Sequence, residues 1–157
     1  MAALETGSKA PDFELPTTDK GTLKLSQALQ EGNYLILAFY PAAFSPVCGD
    51  ELAMLQEFSG DLGKLNAAPV GISVDNAWSN SAFAESKGIA FPLLSDFHPK
   101  GAVATLYGVM REDGITERAL FIVDPEGTIR YSYVSPLREN PGVDRLFDAL
   151  EELKKGG

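Results

Sequence analysis

At 157 residues, with 45% apolar and 22% charged side chains, the chain has the length and composition of one globular domain over residues 1–157, large enough for its own core. A formal charge of −9 argues against nucleic acid or an anionic membrane as partner, and a single cysteine, Cys48, excludes an internal disulfide, a cysteine-built zinc site and a C-x-x-C redox pair. No apolar run approaches the ~20 residues of a membrane span, and "MAALETGSKAPDF" lacks a basic-then-apolar leader, so the expected location is cytoplasmic.

In chain order, "DFELPTTDKGTLKLS" (12–26) reads as two short strands around a Lys20–Gly21 turn, an N-terminal hairpin extension. "SQALQEG" (26–32) reads as a short helix with Ser26 as cap and Gly32 as stop. "NYLILAFY" (33–40) is a nearly continuous apolar run ending at Pro41, as a central strand covered on both faces requires. From Ser45 to about Leu65 the spacing predicts one helix, with its apolar stripe at Cys48, Leu52, Leu55, Phe58, Leu62 and Leu65. "APVGISV" (68–74) predicts a second buried strand, and "NAWSNSAFAESKG" (76–88) a helix ending at Gly88. "ALFIVD" (119–124) and "TIRYSYV" (128–134) flank the turn signal "DPEG", so 117–134 reads as a hairpin. In "NPGVDRLFDALEELKK" Asn140 reads as a cap and Pro141 as first-turn, with a stripe at Val143, Leu146, Phe147, Leu150 and Leu153. Strand and helix alternating before a hairpin and a closing helix imply an α/β fold, a central mixed β-sheet with helices on both faces, consistent with a thioredoxin-like fold.

Cys48 is where chemistry concentrates. "FSPVC" places Ser45 at the N-cap, Pro46 at the first helical position and Cys48 in the first turn, where backbone N–H groups lack helical partners and the helix dipole favours an anion. Helix starts are among the settings that turn thiols into reactive thiolates. Free cysteines are also among the most buried and inert residues, and Cys48 equally continues the apolar stripe. Moving a thiol pKa from ~8.5 to ~6 raises the thiolate fraction at pH 7 only about thirtyfold. A fast cysteine enzyme therefore also needs a cation and fixed donors where charge develops.

"PAAFSPVC" (41–48) matches the pattern P-x-x-x-[TS]-x-x-C, and with "GSKAPDFELPTTDKGTLKLSQ", "FPLLSDFHPKGAVATLYGV" and "ERALFIVDPEGTIRY" the chain resembles the peroxiredoxins of the AhpC/TSA family over its whole length. Within that family, "FPLLSDFHPKGAV" and the lone cysteine are most similar to the one-cysteine alkyl hydroperoxide reductase E group. The resemblance implies a thioredoxin-like thiol peroxidase with no cofactor and no metal. Cys48 corresponds to the peroxidatic cysteine, whose thiolate attacks a peroxide oxygen and becomes a sulfenic acid. Arg118 corresponds to the arginine beside that sulfur, Ser45 to the usual threonine that hydrogen-bonds the peroxide, Pro41 to the proline that shields the sulfur, and Glu51 to a glutamate that orients the arginine. Each has a plainer reading: Arg118 as a surface arginine on a strand, Ser45 as a helix cap, Pro41 as a strand end, Glu51 as a solvated first-turn acid. Serine in place of threonine keeps the hydroxyl but drops the methyl that stiffens the rotamer.

The implied substrate is hydrogen peroxide or an alkyl hydroperoxide. With no second cysteine in the chain, the sulfenic acid has to be reduced by an external thiol, either a low-molecular-weight thiol or a glutaredoxin- or thioredoxin-type protein. A homodimer is expected on the resemblance alone. A peroxide sensor passing oxidation from Cys48 to a partner protein is the alternative, and a binding or holdase-like module with an inert Cys48 a third reading. His98, the only histidine, lies in a loop-like stretch and is assigned no catalytic role; Trp78 and the phenylalanines read as core or interface.

Overall fold

Glu14–Pro16 (β1) and Thr22–Lys24 (β2) pair antiparallel and lead into a short helix, Leu25–Leu29 (α1). Tyr34–Phe39 (β3) follows, then helices Pro46–Glu57 (α2) and Ser59–Lys64 (α3), strand Ala67–Ser73 (β4) and helix Ala77–Lys87 (α4). Leu93–Ser95 (β5), Ala102–Leu106 (α5), Arg118–Val123 (β6), Ile129–Ser135 (β7) and Asp144–Gly156 (α6) complete the order. The structure, a computed structural model, describes residues 2–18 and 21–156, so Lys20 of the expected Lys20–Gly21 turn lies outside the described residues.

One five-stranded sheet runs in the order β5-β4-β3-β6-β7. β5, β4 and β3 are parallel to one another; β6 and β7 join as an antiparallel hairpin. At its turn Gly127 takes φ +88° and its N–H returns to the Asp124 carbonyl at 2.9 Å, the left-handed geometry that glycine tolerates best. β3 is paired on both edges and covered on both faces, which is why its sequence is apolar without alternation. Leu35, Leu37 and Phe39 point into a core closed by α1, α5 and the segment around Phe13. Ile36, Ala38 and Tyr40 point into the opposite core, closed by α2, α3, α4 and α6, and Cys48 belongs to this second core. The mixed sheet with helices on both faces is the arrangement expected.

Three local expectations are corrected. Ser26 does not cap α1: it lies inside the helix, and its N–H is taken at 2.9 Å by Asp12 Oδ1, which also accepts from Phe13. The stretch 45–65 is two helices, interrupted at Phe58 (φ −96°, ψ 8°) before the glycine-bearing "SGDLGK", where low helix propensity weakens the ladder. The apolar stripe survives the break, with Cys48, Leu52, Leu55 and Leu62 buried. Asn140 and Pro141 precede α6 rather than start it: Asn140 Oδ1 accepts from Gly142 N–H at 2.9 Å, and Gly142 at φ +72° cannot continue into a right-handed helix. Two short elements, β5 and α5, had no periodic signal to announce them; β5 is only three residues long.

On the second core, Gly71 of β4 leaves the space that Tyr40 fills: a Cβ there would lie 2.6 Å from Leu93 Cδ2 and 3.0 Å from Tyr40 Cε1. Gly71→Ala is expected to lower the urea-unfolding stability by about 1–3 kcal/mol, the usual penalty of overpacking. An unchanged midpoint would show that Tyr40 and Leu93 yield freely.

Candidate active site

The chain leaves β3 at Tyr40, turns, and enters α2 at Pro46. The turn is tight. Ser45 N–H donates to the Ala42 carbonyl at 3.3 Å, and between them Phe44 adopts φ +67°. A bulky residue in the left-handed region is strained by about 1 kcal/mol or more, so neighbouring contacts must impose it. Ala43 N–H donates to Asp75 Oδ2 at 2.7 Å, and the Phe44 ring packs on buried Phe83, centroids 5.3 Å apart. Ser45 has N-cap backbone geometry (φ −73°, ψ 146°), but its hydroxyl donates to the Ala42 carbonyl at 3.0 Å and makes no cap bond to α2. Its hydroxyl is therefore not spent on capping, and the first turn of α2 keeps its free donors and dipole.

Cys48 is the third residue of α2 and wholly buried; Pro41 is buried as well. One helical turn on, Glu51 is also buried, and its Oε1 accepts from Arg118 Nη1 at 2.7 Å. Residues three apart share a helix face, so Glu51 carries the guanidinium to the side of α2 on which Cys48 lies. Arg118 is the first residue of β6, only 2% exposed, and its Nε donates to the Leu137 carbonyl at 3.0 Å. The surface readings of Arg118 and Glu51 are thus set aside. Burial pushes the Glu51 carboxyl up from its ordinary 4.5 to about 7, against the hydrogen bond and charge of Arg118.

Several neighbours were invisible in the linear pattern. The Tyr40 hydroxyl donates to Asn80 Oδ1 at 2.5 Å, and Asn80 Nδ2 donates to Ser73 Oγ at 3.1 Å and Ser95 Oγ at 3.0 Å. These four side chains are buried and tie the C-terminal ends of β3, β4 and β5 to α4. The signals for Tyr40, Ser73 and Ser95 were polar residues at or near the ends of apolar runs; Asn80, inside α4, gave none. Burial pushes the Tyr40 phenol well above its usual range, and the charges of Asp75, Cys48 and Glu51 push it the same way. Thr116 Oγ1 donates to the Tyr40 carbonyl at 3.0 Å. From α4, the Lys87 stem lies over Gly49, where a Cβ would meet Lys87 Cε at 2.8 Å. His98 is exposed in the loop between β5 and α5, apart from this cluster, and Trp78 is 85% exposed and so is not core.

A mixed sheet of this order, with a lone thiol in the first turn of the helix that follows its central strand, is the architecture of a thioredoxin-like thiol oxidoreductase. The AhpC/TSA family profile matches residues 6–132. Alkyl hydroperoxide reductase E of Mycobacterium tuberculosis (strain ATCC 25618 / H37Rv) is 36% identical over 151 residues, spanning 96% of this chain and 98% of its own. The chloroplastic 2-cysteine peroxiredoxin of Chattonella marina var. antiqua is 33% identical, spanning 97% of this chain and 82% of its own. The crystal structure of peroxidoxin BcpB from Mycobacterium tuberculosis matches with a TM-score of 0.86 at 29% identity, over 96% of this chain and 98% of that one. AhpC of Enterococcus faecalis matches with a TM-score of 0.87 at 32% identity, over 99% and 94%. The chain belongs to the AhpC/TSA family: it is a peroxiredoxin, a thiol peroxidase with a thioredoxin-like fold. No helix among the described residues is long and apolar enough to cross a membrane.

The Glu51 carboxyl makes a pH prediction. Its folded value, about 7, exceeds its ordinary 4.5; protonation therefore favours the fold, fully below about pH 4.5, and that contribution is lost as pH rises through about 7. Glu51→Gln, neutral throughout, should escape this loss, so over that window the wild type should fall relative to it by up to about 3 kcal/mol in urea titrations. A wild type that instead gains on the variant as pH rises would mean that Arg118 holds Glu51 ionised.

Proposed function

We propose that Cys48 is the peroxidatic residue of a one-cysteine peroxidase acting on hydrogen peroxide or small alkyl hydroperoxides. The observation that carries this reading is the buried Arg118–Glu51 pair one helical turn from the only thiol. A guanidinium is permanently charged and rigid. Placed beside the first turn of α2, it supplies with the free N–H groups the fixed positive field that a thiolate and a breaking O–O bond require. Ser45, with its hydroxyl free of the helix cap, serves as a hydrogen-bond partner for the peroxide; Pro41 walls the sulfur from water, and Glu51 holds the guanidinium in place. The sulfur attacks one peroxide oxygen, the O–O bond breaks, and Cys48 becomes a sulfenic acid while the other oxygen leaves as water or alcohol.

With no second thiol in the chain, an external thiol condenses with the sulfenic acid, releasing water and leaving a mixed disulfide. A second thiol then frees Cys48. A low-molecular-weight thiol or a glutaredoxin- or thioredoxin-type protein fits this step, in a reducing, cytoplasmic setting. Because the sulfur has no exposed surface, a protein reductant gains access only when the 41–48 segment loosens. The strained Phe44 and the uncapped start of α2 make that segment the soft point.

A homodimer forms, on this reading, around the same rim. Phe44, Trp78 and Phe97 are 56%, 85% and 53% exposed, and they follow the C-terminal ends of the three mutually parallel strands β3, β4 and β5. Large exposed aromatics on one edge mark an association surface.

Two measurements test these statements. One equivalent of peroxide should add one oxygen to the intact mass within the dead time of manual mixing. Cys48→Ser should abolish the adduct, and Arg118→Ala should slow it by about 10²–10³-fold, the effect of removing one preorganised donor. Equal rates in wild type and Arg118→Ala would sink the proposed site. Light scattering at micromolar concentration should report a dimer for the wild type and a monomer for Trp78→Glu/Phe97→Glu; a dimer in both would move the interface elsewhere.

A further inference from the structure

The Glu51–Arg118 pair leaves one atom over. Glu51 Oε1 meets the guanidinium, whereas Oε2 is equally buried and has no hydrogen-bond partner. An unmet buried acceptor costs about 1–3 kcal/mol. Protonation removes the charge but leaves an O–H that itself has no acceptor, so this atom is suited to meet a group that comes and goes, such as a substrate. Arg118 from β6 is the charged group that acts on this carboxyl, and the Tyr40 phenol from the end of β3 lies within range of its charge. With a folded value of about 7, the carboxyl is about half protonated at neutral pH.

The peroxidase reaction needs a proton at this place. When the thiolate takes one peroxide oxygen, the other departs as hydroxide or alkoxide, a poor leaving group unless it is protonated as it goes. The neighbours are unsuited to supply the proton. A guanidinium does not deprotonate in proteins. The Tyr40 hydroxyl is committed to Asn80 Oδ1, and its phenol is a weakened acid. The Ser45 hydroxyl is directed at the Ala42 carbonyl.

We propose that Glu51, beyond orienting Arg118, is the general acid of the reaction, its Oε2 proton passing to the leaving oxygen as the Cys48 sulfur bonds to the other one. The step balances: Cys48–S⁻, RO–OH and Glu51–COOH give Cys48–SOH, ROH and Glu51–COO⁻. The S–O bond forms and the O–O bond breaks, sulfur losing two electrons to the peroxide. The proton of the first reducing thiol leaves with the sulfenic hydroxyl as water; the second thiol, as it expels Cys48 as a thiolate, supplies the proton that the carboxylate recovers. The assignment rests on Cys48 being the peroxidatic residue.

Two oxidants separate proton donation from mere positioning. Hydrogen peroxide expels hydroxide and needs the proton; peracetic acid expels acetate, which is stable without one. Glu51→Gln keeps an oxygen for Arg118 and has no acidic proton. General acid catalysis contributes about 10²–10⁴-fold, so the ratio of the peracetic acid rate to the hydrogen peroxide rate should rise about a hundredfold in Glu51→Gln. If Glu51 acts only by placing Arg118, both oxidants slow alike and the ratio stays at its wild-type value, which overturns the proposal. A wild-type measurement guards against a variant that does not fold: deuterated solvent should slow oxidation by hydrogen peroxide and not by peracetic acid, and equal isotope effects would count against Glu51. A wild type slow with both oxidants would instead overturn the assignment of Cys48; a fast wild type with an unchanged ratio overturns the general acid alone.

Discussion

The ion pair between Arg118 and Glu51 is the contact on which the arrangement around Cys48 depends. It joins the first residue of β6 to the first turns of α2, two elements about seventy residues apart in the chain, across a 2.7 Å contact with both partners almost without exposure. Taking two charges out of water is expensive, and replacing such a pair by apolar side chains often leaves a protein as stable or more so. Stability is therefore a weak reason for its presence. What it does accomplish is geometric: removing Glu51 strands a buried guanidinium, at about 3–5 kcal/mol, so the guanidinium and the start of α2 are held together as one unit. The Leu137 carbonyl fixes the guanidinium from its other side, which leaves its remaining donors oriented rather than free to rotate.

Around that pair the fold solves a second problem, presenting a thiol at a helix start that is neither capped nor exposed. The 41–45 segment is forced into a tight turn with Phe44 left-handed, and the force comes from outside it, from Asp75 after β4 and Phe83 on α4. The Tyr40–Asn80–Ser73–Ser95 cluster braces the same strand ends from within the core. A fully satisfied buried polar network rigidifies its surroundings more than the sum of its bonds suggests. The site is thus stiff on its sheet side and strained on its loop side.

Legibility in the sequence followed the range of the interactions. β3, β4 and the β6–β7 hairpin were readable because burial on both faces writes itself as an unbroken apolar run, and "DPEG" marks its own turn. The α2–α3 break was not, because an apolar stripe continues through Phe58 while glycines weaken the backbone beneath it. Ser26 and Asn140 misled for a common reason. Both have the residue type of a helix cap, but Asp12, fourteen residues upstream, had already taken the N–H at Ser26, and Asn140 closed a turn of its own before α6. Ser45 shows the same limit in reverse: it holds the N-cap position while its hydroxyl turns back to Ala42.

The sequence by itself determined the α/β layering, the position of Cys48 in the first turn of a helix after the central strand, and the absence of a second thiol. These follow from local periodicity, from Pro46 and from a count of cysteines, none of which needs contacts across the chain. The tertiary structure alone decided that Arg118 is buried and paired rather than solvated, that Glu51 keeps one oxygen without a partner, that Tyr40 is tied to Asn80, and that Lys87 lies over Gly49 of α2. The reason is physical. A charged residue's environment is set by what packs over it, and here the covering atoms come from strands and helices whose meeting depends on the order of the sheet.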